Sequence, residues 1–217
     1  VRAAKLNAVA WTAVFALSLG GLASAQTSTN HWTVDSAETV GAGANVLRGQ
    51  VGFPGLVGDF IHGLDGTTDI GGRMWINYSP EGLTKGTAFE WKIQLTLRKL
   101  FFDSGKVKIA GTFDPGFLLV SNNGTTTGIT FPIGVQFGIP IDNKVTVNAS
   151  FDIPFYVTFG DFGNFNMPLL FGGGVEYLIE HNLDLTFKLK LGPNIGFGTF
   201  GSTNLALYAL FGVAYRF

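Results

Sequence analysis

No cysteine occurs in the 217 residues, which excludes a disulfide scaffold and a lipidated cysteine behind an export signal. Charge is scarce: Asp, Glu, Lys and Arg make up 13% of the chain, about half the ~25% usual in soluble domains. The cations stand singly and the net charge is -1, so there is no basic stripe for DNA or RNA to follow, and nucleic acid is set aside as a partner. Beyond Leu22 no apolar run reaches the ~20 residues a membrane helix needs. No metal-ligand cluster, phosphate loop or cofactor motif is found. The run Gly172-Gly173-Gly174 lies inside an expected strand with no helix after it, and no cofactor is expected.

The chain opens Val1-Arg2-Ala3-Ala4-Lys5, runs apolar from Ala8 to Leu22 and then gives Ala23-Ser24-Ala25. A positive start, a short apolar middle and an A-x-A end read as a secretory signal peptide over residues 1–25, cleaved between Ala25 and Gln26. A polar lead, residues 26–37, is expected in the periplasm. Whether it enters a lumen as a plug stays open.

Hydrophobic residues make up 46% of the chain, with 31 Gly and 21 Phe, and mean hydropathy is +0.30. The stretch Leu183 to Leu191, LDLTFKLKL, alternates apolar and polar residues without a fault, which is the period of a strand with one oily and one charged face. Turn signals divide residues 38–217 into ten expected strands: 38–47, 56–63, 68–78, 87–101, 105–120, 126–141, 144–159, 165–179, 182–197 and 204–217. The first two alternate poorly. Short turns at Asp103-Ser104-Gly105, Asp142-Asn143 and Glu180-His181-Asn182 alternate with longer loops at 79–86, 121–128, 160–164 and 198–203. Short turns at one end and long loops at the other are the habit of outer-membrane barrels.

Odd-numbered positions form one continuous oily surface, for example Val145, Val147, Phe151, Ile153, Phe155 and Val157. Even positions gather Glu90, Lys92, Arg98, Lys106, Lys108, Asp114, Asp152, Glu176, Lys188, Lys190 and Arg216. A barrel of about ten strands has room inside for side chains, but not for this many bulky apolar ones. A soluble barrel would also need more surface charge. The expectation is therefore an all-β, closed antiparallel transmembrane barrel of about ten strands, with eight or twelve as alternatives, oily face to lipid and charges in the lumen.

The ending Phe211-Gly212-Val213-Ala214-Tyr215-Arg216-Phe217, aromatic at alternate positions with a terminal Phe, resembles the last strand of small single-chain outer-membrane β-barrel proteins of Gram-negative bacteria. The resemblance implies an outer-membrane address, and insertion by the barrel-assembly machinery reading Tyr215 and Phe217. It implies no activity.

Proline is normally excluded from strand interiors, yet Pro115, Pro132, Pro154, Pro168 and Pro193 interrupt five successive strands. Counted from the nearest short turn they stand at one height, about 30 Å up, near the outer lipid boundary. The plain reading is a level where strands bulge and flare. The sharper one is a weakened side wall, with the Phe-rich segments 159–165 and 196–200 as an apolar entrance or, more plainly, an aromatic girdle.

An enzyme needs convergent acid, base or nucleophile groups at a reachable rim. His31, His62 and His181 fall in the lead or near short turns, not at the rim where the outer-membrane proteases and palmitoyl-transferring barrels keep a histidine. Asp114 and Asp152 read as members of a salt-bridge network before they read as a catalytic pair. The basic strip Lys92, Arg98, Lys106 and Lys108 favours anions only if it lacks partners. The expected protein is a non-enzymatic outer-membrane barrel, structural or ligand-binding, with outer-membrane lipid and an apolar small molecule as partners. The alternative is a narrow pore or side-gated carrier.

Overall fold

In this computed structural model, residues 31–78, 89–121, 124–159, 164–197 and 203–217 are described. The expected signal peptide lies outside them, as does the whole of the first long loop, 79–86. Twelve strand segments follow in order: β1 (Asn45–Phe53), β2 (Gly55–Gly63), β3 (Thr68–Asn77), β4 (Phe89–Asp103), β5 (Lys108–Phe113), β6 (Gly116–Ser121), β7 (Thr125–Pro140), β8 (Val145–Phe159), β9 (Phe165–Pro168), β10 (Leu170–Glu180), β11 (Leu183–Phe197) and β12 (Thr203–Arg216). Segments β5 and β6 form one stave interrupted at Asp114-Pro115, and β9 and β10 form another interrupted at Leu169. Each stave pairs antiparallel with its neighbours, and β1 pairs with β12 to close a ten-stave barrel. Full closure leaves no sheet edge exposed along the wall.

The outer face is apolar all round: Leu47, Phe60, Leu95, Phe117, Phe171, Phe187 and Phe211 are all exposed. Arg48, Asp59, Asp69, Lys92, Arg98, Glu176, Asp184 and Lys188 are buried inside. Hydrocarbon is the solvent such an exterior fits, since a closed barrel satisfies its backbone without water.

Two expectations need correction. The first strand is not 38–47 but Asn45–Phe53, and it meets β2 through Pro54 alone; residues 38–40 instead continue the buried lead, and 41–44 turn into β1 with Ala42 and Gly43 exposed. The oily surface is also not odd-numbered throughout. Arg48 stands opposite Asp59 and Arg73 opposite Gln94, so an even residue faces an odd one at the β1–β2 and β3–β4 seams. In β2 and β3 the odd positions therefore point inward, leaving even-numbered Leu56, Phe60, Ile70 and Met74 on the outside. Every other seam joins even to even, as at Pro132 and Pro154, apart from bulges beside the β4–β5 and β10–β11 turns, and outside β2 and β3 the expected phase holds.

Candidate functional site: the lumen and its plug

From residue 31 onward the lead lies against the inside of the barrel wall. Trp32, Thr33, Val34, Ser36, Ala37, Glu38, Thr39 and Val40 are buried, and the segment crosses the lumen at the end where the short turns lie. Its backbone has no sheet partner, so its polar groups must be satisfied by the wall. Glu176 accepts the Val34 and Asp35 N–H groups at 2.6 and 3.2 Å. Asp69 accepts the Val40 N–H at 3.2 Å. Arg98 donates to the Ser36 and Thr33 carbonyls, each at 2.8 Å, and from Nε to Asp69 at 2.9 Å. The Trp32 indole donates to the His181 carbonyl at 2.9 Å, and the Arg216 guanidinium lies 6.0 Å from its ring centroid.

Side chains fasten the segment further. Asp35 accepts from Lys188 Nζ and Gln50 Nε2, each at 2.8 Å, and from Arg48. Glu38 pairs with Lys108 and His31. Gly138 on β7 leaves room, because a Cβ there would stand 2.3 Å from Ser36 Oγ. The anchors come from β1, β3, β4, β5, β10 and β11, so the segment is tied around most of the wall. Ion pairs buried this deeply are poor evidence of extra stability, but removing one partner strands the other at high cost.

Beyond the plug the charges continue as a chain. Arg48 bonds Asp59 at 2.8 Å through Nε; Asp59 also takes Arg73, whose Nη1 reaches Asp114 at 2.6 Å. Lys190 pairs with Asp152 at 2.7 Å and Lys92 with Glu90 at 2.7 Å. Thus of the sequence-derived lumen charges, Glu90, Lys92, Arg98, Lys108, Asp114, Asp152, Glu176, Lys188, Lys190 and Arg216 all face inward. Lys106 does not: it is exposed in the turn between β4 and β5. Asp114 and Asp152 line the same cavity, yet each is taken by a different cation. Lys92, Arg98 and Lys108 all have acidic partners, so no free basic strip exists among them.

The sequence reading missed Asp35, Glu38, Arg48, Asp59, Asp69 and Arg73. The first two lie in a lead that shows no strand period. Arg48, Asp59, Asp69 and Arg73 sit on staves whose phase is set by the two odd-to-even seams, and Asp59 to Arg73 would have emerged from aligning β2 and β3 by charge.

Two small cavities occupy the lumen. One, about 60 Å³, lies against the plug beside Val34, Asp35 and Arg98. The other, about 80 Å³, is lined by Trp75, Tyr208, Leu170, Pro132 and Pro154 together with the charged groups of the upper chain. Trp75 and Tyr208 meet edge to face with ring centroids 5.9 Å apart. Both volumes fall far below the ~300 Å³ at which pockets begin to enclose a small organic ligand.

All five prolines lie at one level. Pro132 stands opposite Pro154. Asp152 stands opposite Leu170 and Tyr156 opposite Asn166, so midway between them Pro154 stands opposite Pro168. The register is unchanged across each interruption: Leu97 opposite Phe113 and Gln94 opposite Gly116 keep one alignment past Pro115. On the outer face at this level Phe131, Phe155, Phe165 and Phe197 form a row with successive centroids 5.9, 6.3 and 5.7 Å apart. The other Phe-rich residues of these loops, 160–163 and 198–202, lie outside the described residues.

No protein-family model matches the chain, and no curated protein sequence resembles it. Solved structures do. "KdgM porin" matches with TM-score 0.40 at 8% identity over 80% of this chain and 99% of that one. "KdgM porin in complex with disordered oligogalacturonate" gives 0.41 at 10% over the same shares. A loop L8 deletion mutant of OmpT, an outer membrane protein of Vibrio cholerae, gives 0.37 at 18% over 81% of this chain and 60% of that one. At these identities and TM-scores the likeness adds nothing to the architecture, which the closed ten-stave ladder and its apolar exterior establish.

Proposed function

We propose that the protein is an integral barrel of the Gram-negative outer membrane, exported with removal of residues 1–25 and non-enzymatic, which keeps its lumen shut to ions and whose upper cavity, too small for a whole organic ligand, takes part of one from the loop side. The short turns face the periplasm and the long loops face outward, so the plug closes the periplasmic end. Tyr215 and Phe217, exposed on the outer face with rings stacked at 6.3 Å, are the residues the assembly machinery would read.

One observation carries this reading: residues 32–40 lie buried across the lumen and are bonded to staves on nearly every side. An open pore would need that segment displaced. Inside, Arg48, Arg73, Lys92, Arg98, Lys108, Lys188 and Lys190 each stand beside an acid, which gives no single-sign filter for a selective channel. Recording from planar bilayers tests it. The chain from Gln26 should be silent, and deletion of residues 31–40 should produce steady conductance steps. Steady ion-selective steps from the intact chain would replace this reading with the narrow pore.

A further inference from the structure

Backbone accounting at the proline level singles out one seam. In an antiparallel ladder, residues with outward-facing and inward-facing side chains bond to opposite neighbours, so only alternate pairs exchange hydrogen bonds. The Thr158 N–H donates to the Asn164 carbonyl at 3.0 Å and the Leu178 N–H to the Lys144 carbonyl at 2.8 Å, so even-numbered residues bond across the seam between β8 and the β9–β10 stave. Pro154 and Pro168 are such a pair. Neither has an N–H, and both bonds of the pair are impossible.

No other seam loses as much at this level. Leu95 donates to the Pro115 carbonyl at 2.8 Å, Asp114 to that of Pro132 at 2.9 Å and Leu169 to that of Pro193 at 2.9 Å. Those three pairs each lose only the reciprocal bond. Pro132 and Pro154, though opposite, belong to a pair that exchanges none. The β8 to β9–β10 seam alone carries a stretch of about 13 Å, from the Tyr156–Asn166 pair to the Asp152–Leu170 pair, with no backbone bond across it.

The same stretch is the wall of the upper cavity, which Pro154, Leu170 and Asp152 line from within. Outside, Phe155 and Phe165 flank it from opposite strands, 6.3 Å between centroids. We propose that this seam parts sideways to admit a single-chain amphiphile. The proposal rests on the closed-lumen, ligand-binding reading above and adds the route and the ligand class. Arg73, Lys190, Asp114 and Asp152 line the cavity as ion pairs beside Trp75 and Tyr208, a polar lining that suits a head group and not a hydrocarbon chain. The cavity has room for a head but not for a whole amphiphile, so the chain lies in the parted seam between the two phenylalanines. No covalent step is involved.

The absence of native cysteine makes the test direct. In a Trp32→Phe, Trp91→Phe background of the chain from Gln26, Trp75 is the one remaining tryptophan and faces the cavity. In phosphatidylcholine vesicles, an ω-brominated undecanoate should quench it. A disulfide between Phe155→Cys and Met167→Cys, outward residues opposite one another beside the proline pair, should slow quenching at least tenfold, and reductant should restore it. A disulfide on an uninterrupted seam, Leu189→Cys with Ala209→Cys, which are opposite, should have no effect. Pro154→Ala with Pro168→Ala, which returns both donors without any cross-link, should slow quenching in the same way and covers the case in which the cross-linked barrel fails to fold. Quenching unchanged by both the disulfide and the double alanine would overturn the side route while leaving ligand binding intact. Absence of quenching in the parent would overturn the ligand itself, with bilayer silence still judging the plug on its own.

Discussion

In the half of the lumen near the short turns, space is filled by a peptide held with charges, whereas in the half near the loops it is lined by Trp75, Tyr208, Leu170 and prolines around a cavity. The first half is over-determined: Asp35 has Arg48, Lys188 and Gln50, and Glu176 holds two successive N–H groups. The second forgoes backbone bonds at five positions and sets a ring pair and prolines beside its ion pairs, Arg73 with Asp114 and Lys190 with Asp152. A barrel needs its ladder most where hydrocarbon lies outside, and the interruptions begin only after each stave has crossed roughly the nine to eleven residues that spanning takes. The buried peptide is thus concentrated at one end of the cylinder and the interrupted ladder at the other.

The largest effect should come from removing Arg48, whose side chain is fully buried between Asp35 and Asp59. Arg48→Met leaves two carboxylates without their shared cation, and a broken buried pair costs about 3–5 kcal/mol. Urea unfolding in lipid should show that loss, and the barrel that remains should conduct. If the variant is as stable as the parent and silent, the charges do not hold the plug.

A smaller effect, reached without touching any charge, is expected from Gly138→Leu. The added side chain meets Ser36 and Ala37, and overfilling a packed interior costs about 1–3 kcal/mol. Here the barrel should stay folded while the plug is expelled, so conductance rises more than stability falls. In the loop half, Trp75→Ala should cost about 0.5–1.5 kcal/mol through the lost ring pair with Tyr208, leave the bilayer recording silent and weaken ligand binding. Conductance from Trp75→Ala would erase the distinction between the halves.

How much of this was legible beforehand follows from where the chain keeps a simple period. From Phe89 onward, sequence alternation placed the staves to within a few residues and assigned their faces, because away from the bulges beside the β4–β5 and β10–β11 turns each hairpin pairs even with even and one phase carries through. At Arg48–Asp59 and Arg73–Gln94 the pairing changes parity, and a face assigned by numbering alone turns inside out. The proline row was readable from distances to the turns, but its consequence was not: which proline loses a bond depends on which neighbour each N–H would have faced. The plug was unreadable for a different reason. Residues 31–44 have neither strand nor helix period, and their partners, Glu176 and Lys188 among them, are remote in the chain.

The smallest expected effect lies at the end of the first half, in the short turn between β7 and β8. Asp142 Oδ1 accepts the backbone N–H groups of Lys144 at 2.7 Å and Val145 at 2.8 Å. The Lys144 N–H, then that of Val145, holds the Asp142 carboxyl below its ordinary value of 3.8. A depressed carboxyl stabilises the folded turn above the unfolded value, and that support is lost as pH falls through the lower folded value. The Lys144 and Val145 amide resonances should therefore titrate with a midpoint below 3.8, and Asp142→Asn should abolish the titration while leaving plug and conductance as they were. A midpoint at or above the ordinary value would mean that the turn gains nothing from the charge, and that the order of the closed end comes from its interior alone.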